Sequence, residues 1–550
     1  MKNKKMASSP RSFPVDIFAL KEYGIKKWQD EFFWPVSDRD FIALCRDIER
    51  CVINQINTQP IEMSDLLLVQ GTLRGEYQQF LHAVKVLEQV KSRGLEVLFS
   101  DKTLWYKHLM TGNLPTAYGF SKKKDAYNNP YADSLVKKIK GKMKGHIKSL
   151  VCNKQKLGIK LVNAVGQGKI SARLCGSTSS LIKQYIGNLP YWVSATYPWD
   201  WLPKDVSYKV PDRLKDSIEN VSSTMVDELK SIANKNEIML LDDHIDHLRQ
   251  LTKSKLIDAA QILHLIKNKI KGKNKIHLLI SDLGNPFHKA LCIAGRQEGW
   301  KVTSFTHGGF TGFYDSPTFA FSEFALSDEF ITYTPESIKL LEKIKNNYKP
   351  LRNNKVAIRS GDSYEYLKLW RKYGHKPLSK GIERVMLIGF PHNQWRKPQG
   401  TFSLPFMHLD LELRIVDLLG KAGYNVTYKV HPDRILEVEG VFESRAKVLT
   451  KGLFQDYLDS VDAFIFGSIR TTAFPIALCT NKPIIGFIRE QEPYKPSPEA
   501  IELLKKRCHM IYAKFDERNR VIFDEKEFLE ALSVKPEEPN NEFFEKYYIP

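Results

Sequence analysis

The chain has 550 residues, 42% hydrophobic and 27% charged, an ordinary balance for folded protein that excludes global disorder. At about 150 residues per domain it holds two to four domains, and no stretch approaches the roughly 18 apolar residues of a membrane-spanning helix. Eighty-three Lys and Arg against 63 Asp and Glu leave a formal charge of +20, which points to an acidic partner such as nucleic acid, a phosphate-rich substrate or anionic lipid.

Taken in chain order, the N-terminus (MKNKKMASSPRSFPVD) is basic but lacks the apolar centre of a signal peptide, so the expectation is a cytoplasmic protein. Asp65–Gly71 (DLLLVQG) and Gly94–Ser100 (GLEVLFS) read as strands around a helix, a βαβ rhythm. From about 104 to 270 the pattern is mostly helical, a large elaboration of the first domain. Both lysine-rich blocks fall there: residues 121–160 carry twelve lysines against Asp125 and Asp133, and residues 251–275 carry seven against Asp258. In the first block Val136, Ile139, Met143, Ile147 and Leu150 recur every three or four residues with lysines between them. That is a basic amphipathic helix, of the type that lies on an anionic membrane surface or packs its stripe on the protein's own core. Tyr191, Trp192, Tyr197, Trp199 and Trp201 form either an interfacial anchor or a buried aromatic cluster.

The strand–helix rhythm resumes at Ile276–Ser281, with a helix over Pro286–Gly299 and strands at Lys301–Thr306 and Glu329–Tyr333. Residues 345–383 are polar and suit a connection between domains. A second α/β unit follows, with strands at Arg384–Gly389, Asn425–Val430, Lys447–Thr450, Asp462–Gly467 and Pro483–Phe487 and helices between them. Short apolar strands alternating with helices predict parallel, doubly wound sheets buried on both faces. The expected domains are 1–380 and 381–550, meeting at a cleft lined by the carboxyl ends of strands. The seven cysteines (Cys45, Cys51, Cys152, Cys175, Cys292, Cys479, Cys508) include no CxxC, so neither a disulfide framework nor a zinc knuckle is indicated.

The chain has no GxxxxGK[ST], no GxGxxG after a strand, no HExxH and no GxSxG. Four strand-end segments could carry chemistry. His431-Pro432 ends one strand, and the proline forces an extended approach that aims the histidine at the crevice. Gly467-Ser468-Ile469-Arg470-Thr471-Thr472 precedes a helix and offers hydroxyls and amides to an anion, or plain helix capping. Thr306-His307-Gly308-Gly309 exposes a histidine suited to general-base work, or one satisfied in a tight turn. Ser281-Asp282-Leu283-Gly284-Asn285-Pro286 offers Asp282 as a rival base or an acceptor-binding carboxylate; otherwise Asn285 is merely a helix cap. Gly389-Phe390-Pro391-His392 closes the first strand of the second unit.

This combination resembles the bacterial surface-polysaccharide transferases of GT-B architecture that carry a His-Pro motif and a downstream Ser/Thr pair. The group includes capsule-synthesis, sialyl- and Kdo-transferases and teichoic-acid glycerophosphotransferases, and the resemblance covers roughly 276–333 and 384–490. It implies two Rossmann-type domains facing a cleft and an inverting, metal-independent transferase without a cofactor. A nucleotide-activated sugar, CMP-sugar favoured, would set its phosphates against His431, Pro432, Ser468, Arg470, Thr471, Thr472 and Gly389. A glycan or glycolipid acceptor would lie by Gly308, Gly309 and Asn285, with His307 or Asp282 as base. The lysine-rich helices would bind the inner membrane face or an anionic acceptor. The chain lacks the sialyltransferases' acidic-acidic-Gly motif, and the glycerophosphotransferases' Trp before the His and Ser-Ser pair. A glycerophosphotransferase, a sugar-nucleotide epimerase and a basic nucleic-acid-binding protein remain the alternatives.

Overall fold

The computed structural model describes residues 12–99, 171–176, 179–191, 193–196, 198–202, 209–281, 283–306, 308–348, 355–361, 364–377, 380–390, 405–490, 494–534 and 537–549. The amphipathic block at 121–160, Cys152, Trp192, Tyr197, Asp282, His307 and His392 lie outside them. A small parallel pair, β1 (Ser12–Pro14) and β2 (Glu96–Leu98), stands apart from two large sheets.

The first large sheet holds β3 (Ser171–Cys175), β4 (Val193–Thr196), β5 (Ile276–Ile280), β6 (Lys301–Phe305), β7 (Glu329–Thr332) and β8 (Ala357–Ser360) in the order β4-β3-β5-β6-β7-β8. Every pairing is parallel. All five residues of β5 are buried, as a strand covered by helices on both faces must be. The helix after it, Pro286–Gln297, starts where Asn285 caps the Phe287 amide at 2.9 Å and Pro286 takes the first helical position.

The second sheet holds β9 (Arg384–Ile388), β10 (Asn425–Lys429), β11 (Lys447–Leu449), β12 (Ala463–Phe466), β13 (Ile484–Arg489), β14 (His509–Phe515) and β15 (Val521–Ile522). Its order is β11-β10-β9-β12-β13-β14-β15, parallel except for the β15 edge. Numbered from β9, the first six strands run 3-2-1-4-5-6, the doubly wound dinucleotide-fold order, whose crevice opens between the first strand and the fourth. The first sheet, numbered from β3, runs 2-1-3-4-5-6, the flavodoxin-like variant. The protein is therefore an α/β chain of two Rossmann-type sheets, a GT-B-like architecture.

Several expected elements differ. Asp65–Gly71 is not a strand: it belongs to the helix Ile61–Val69, buried over most of its surface. The elaboration at 104–270 is not only helical, because β3 and β4 lie within it and extend the first sheet. Residues 345–383 supply an edge strand, β8, and a helix, Tyr364–Tyr373.

The lysine block at 251–275 lies partly on the helix Asp242–Ile270, which with Asp212–Lys235, Asp38–Thr58, Ile61–Val69 and Leu73–Ser92 covers one face of the first sheet. Its apolar stripe (Leu256, Ala259, Leu263, Ile266, Ile270) is core, and Lys255 is itself buried against Glu76 at 2.8 Å. The stripe thus packs on the protein rather than facing outward, while Lys269, Lys271, Lys273 and Lys275 are exposed. Trp201 is buried and packs edge-on against Trp300, so that member of the aromatic segment is core. The six described cysteines are buried thiols. No helix among the described residues is long and apolar enough to cross a membrane.

The described part of the chain starts on the second lobe. Trp28 and Trp34 pack against Phe406, the Trp34 amide donates to Arg518 O at 3.0 Å, and Asp38 pairs with Arg489 at 2.9 Å. It ends on the first lobe, where Phe543 and Tyr548 in the helix Glu542–Tyr548 pack on Phe313 and on Tyr333 and Tyr366. One hydrophobic core consequently runs through both lobes.

Candidate functional site

The loops after the strands of the two sheets meet. The segment after β6 touches the segment after β12: a Cβ placed on Gly309 would stand 2.6 Å from Pro475 Cγ and 3.1 Å from Thr471 O. Tyr548 from the terminal helix donates to Gly309 O. A little further on, Ser497 N donates to Phe313 O at 2.8 Å and Asp315 N to Lys495 O at 3.3 Å, joining the same loop to the segment after β13. The segment after β6 in the first sheet therefore meets the segments after β12 and β13 in the second.

On the second-lobe side, the 467–472 loop is shaped by its own hydroxyls. Buried Ser468 accepts from the Arg470 amide at 3.3 Å, a local turn that lifts the Arg470 side chain toward the first lobe. The Arg470 guanidinium lies 5.1 Å from the Phe310 ring centroid and 5.5 Å from that of Tyr314, and has no carboxylate within ion-pair distance among the described residues. A cation held by two ring faces keeps its planar donor fork available. Beside it, Thr471 Oγ1 is buried without a hydrogen-bond partner among the described residues, and a buried hydroxyl left unsatisfied costs about 1–3 kcal/mol. Thr472 is exposed and its side chain caps nothing.

The helix that follows, Ala473–Leu478, has six residues, too short for a macrodipole to dominate. The macrodipole thus adds little to the anion site expected at this loop, whose donors are the Arg470 guanidinium, the hydroxyls and the backbone amides.

His431 is half-buried at the end of β10 and its carbonyl accepts from the Arg434 amide at 2.9 Å, while Pro432 is exposed and opens the turn Pro432–Arg434. Gly389, expected to meet phosphate, also has a steric role: a Cβ there would come within 2.5 Å of Tyr428 Oη and 3.2 Å of Lys429 O.

On the first-lobe side, Gly308 has φ +82°, which a residue with a Cβ rarely adopts, and this fixes the turn beside His307. Gly309 serves close packing against the other lobe, not an open acceptor surface. Asn285 is occupied as a helix cap, so the capping alternative describes it. At the crevice of the first sheet, Gly176 has φ +107° and a Cβ on it would overlap Ser281 Oγ, itself buried and unpartnered.

Sequence reasoning missed Glu412 and Arg434. Arg434 Nη1 lies 2.9 Å from Glu412 Oε2, both side chains almost wholly out of solvent. Burial pushes the Tyr428 phenol up, with Glu412 adding to the shift and Arg434 opposing it, so Tyr428 stays a neutral donor to Glu412 at 2.9 Å. His408, stacked on Phe390 at 4.4 Å between centroids, is held well below its ordinary pKa by burial and by Arg489 and Arg434. The signal available was the spacing His431-Pro-Asp-Arg434, an arginine three residues past the histidine on a one-turn segment.

No protein-family model and no curated protein matches the chain. Among solved structures it is similar to UDP-N-acetylglucosamine 2-epimerase from Rickettsia bellii, at 13% identity and TM-score 0.34, over 68% of this chain and 89% of that one. A likeness this slight carries no argument about reaction or substrate. The architecture rests on strand order alone.

Proposed function

We propose that the chain is a GT-B-type transferase that moves a sugar from a nucleotide-activated donor to a surface glycan or glycolipid acceptor. The observation that supports this reading is Arg470. Its guanidinium sits on two rings from the opposite lobe with no carboxylate in ion-pair distance among the described residues, next to a buried threonine hydroxyl, on the loop after the fourth strand of a doubly wound sheet, beside which such sheets take nucleotides.

In this reading Arg470, Thr471 and Ser468 hold the donor phosphates, His431 reaches them from β10, and Thr472 lies at the solvent rim. The acceptor hydroxyl enters from the first lobe and gives its proton to His307 or Asp282, which adjoin the ends of β6 and β5. One in-line displacement would invert the anomeric carbon. Fixed donors then meet the leaving-group charge, and losing one such donor typically costs about 2.7–4 kcal/mol of barrier. The protein is proposed to work at the cytoplasmic face of the membrane, with the exposed lysines at 269–275 toward anionic lipid or acceptor.

The test is a thermal-shift panel of CMP, CDP, UDP, GDP and their sugar conjugates on the wild type and on His431→Ala. Stabilisation of the wild type by one base series, reduced in the variant, supports the reading. Equal shifts in both proteins remove His431 from the site. Incubation with the stabilising sugar nucleotide alone separates classes, because an isomerised donor without acceptor identifies an epimerase. Steep salt-dependent binding of random oligonucleotides, with no nucleotide-sugar response, identifies a nucleic-acid binder.

A further inference from the structure

The loops after β9 and β10 stand side by side on one flank of the crevice, and a single buried carboxylate fastens both. Glu412, 1% exposed on the helix Pro405–Lys421, accepts from the Phe390 amide through Oε1 at 2.8 Å and from the Tyr428 hydroxyl through Oε2 at 2.9 Å. Arg434, 3% exposed, donates from Nη1 to the same carboxylate at 2.9 and 3.1 Å and to Phe390 O at 3.0 Å. Its guanidinium is also 3.7 Å from Glu437. The chain just past β9 is therefore held at both its N–H and its C=O, and the arginine that holds it lies three residues after His431. Gly389 completes the arrangement, because only a residue without a Cβ admits the Tyr428 hydroxyl.

A buried ion pair is a poor source of net stability, since desolvating both charges offsets most of their attraction. What this one supplies is direction: four polar partners fix two backbone segments relative to one another. We infer that Glu412 and Arg434 are positioning residues that set the β9 and β10 loops, and with them the imidazole of His431, in register with the Arg470 loop across the crevice. The consequence for phosphate binding rests on the proposed function; the consequence for loop geometry does not.

The protein contains its own control. Glu76 and Lys255 form a second buried pair, 2.8 Å apart, between two helices of the helical layer of the first lobe. The experiment compares Glu412→Gln, Arg434→Lys and Glu76→Gln in the full chain by amide hydrogen exchange and by calorimetric binding of UDP, CMP and inorganic pyrophosphate.

The expected result is at least tenfold faster exchange in peptides covering both 386–390 and 428–434 for Glu412→Gln, with Arg434→Lys intermediate. Glu76→Gln should leave those peptides unchanged. The tightest of the three probes should bind Glu412→Gln at least tenfold more weakly and Glu76→Gln within twofold of the wild type. Exchange that rises only within 405–421, or Glu412→Gln binding equal to wild type while Arg470→Ala binding is lost, overturns the positioning role. If no probe binds the wild type but the exchange difference is present, loop positioning stands and the phosphate reading falls. Should Glu412→Gln not fold, Arg434→Lys, which keeps the charge, carries the same two comparisons.

Discussion

Gly309 and Thr471 lie on opposite lobes, and the backbone of one leaves no room for a side chain beside the other: an added Cβ would sit 3.1 Å from the Thr471 carbonyl and 2.6 Å from Pro475 Cγ. Gly309→Ala must push the two loops apart or strain them. Overpacking of this kind costs about 1–3 kcal/mol. The variant is expected to melt earlier than wild type in a thermal scan and to lose part of any nucleotide-induced shift, because Arg470 is carried by the same loop.

Arg470→Ala should behave in the opposite way. The side chain's described contacts are two ring faces, worth about 0.5–1 kcal/mol at a partly exposed site, so the melting temperature of the free protein should barely move. The nucleotide-induced shift should vanish. Arg470→Lys, which keeps charge but not the planar fork, should retain a fraction of it. A shift that survives Arg470→Ala in full would place the phosphates elsewhere.

The sequence shows the sheet cores well and their edges poorly. IHLLI, RVMLI and AFIF are short, apolar and bounded by turn residues, and each is a strand buried on both faces. DLLLVQG looks the same locally, but a short, wholly apolar run has no period, and here it is a helix covered on most sides. SARLC, VSAT and AIRS were not legible because neighbours at or near a sheet edge need few apolar residues.

In the candidate site, the SIRTT loop was legible from its place between strand and helix. Glu412 and Arg434 were not, because each takes its role from a partner 22 residues away in the chain; Asp38, outside the site, has its partner 451 residues away.

Asp38 tests how the lobes are joined. Its carboxylate, at the start of the helix Asp38–Thr58, pairs with Arg489 at the end of β13, and burial pushes its pKa up against the lowering effect of that arginine. Asp38→Ala removes the carboxylate and leaves a largely buried guanidinium without it, a loss of about 3–5 kcal/mol in comparable sites. Urea unfolding should show this loss. The double variant Asp38→Ala/Arg489→Leu should recover part of it, and additive losses would contradict a direct interaction.

Acid should destabilise the protein through its buried histidines. Burial, with Lys85 adding to it, lowers His82 to about 3, and burial with Lys301 lowers His277 to about 4. In the unfolded chain both titrate near 6.5, so the unfolded state binds more protons between that value and the folded ones. Stability is therefore full above pH 6.5 and falls as the pH drops toward 4 and 3. At pH 5 the loss is about 2 kcal/mol for each histidine. Urea midpoints measured from pH 7.5 to 5 should show this slope, and His82→Phe should remove about one proton's share of it. An unchanged slope in that variant would mean His82 is not buried neutral.

The most direct measurement is a structure of the protein with a bound nucleoside diphosphate or its sugar conjugate. Phosphate oxygens are expected within hydrogen-bond distance of the Arg470 guanidinium and Thr471 Oγ1, in the crevice between β9 and β12. A nucleotide bound with its phosphates at the Gly176–Ser281 crevice of the first sheet, and Arg470 still stacked and uninvolved, would contradict it.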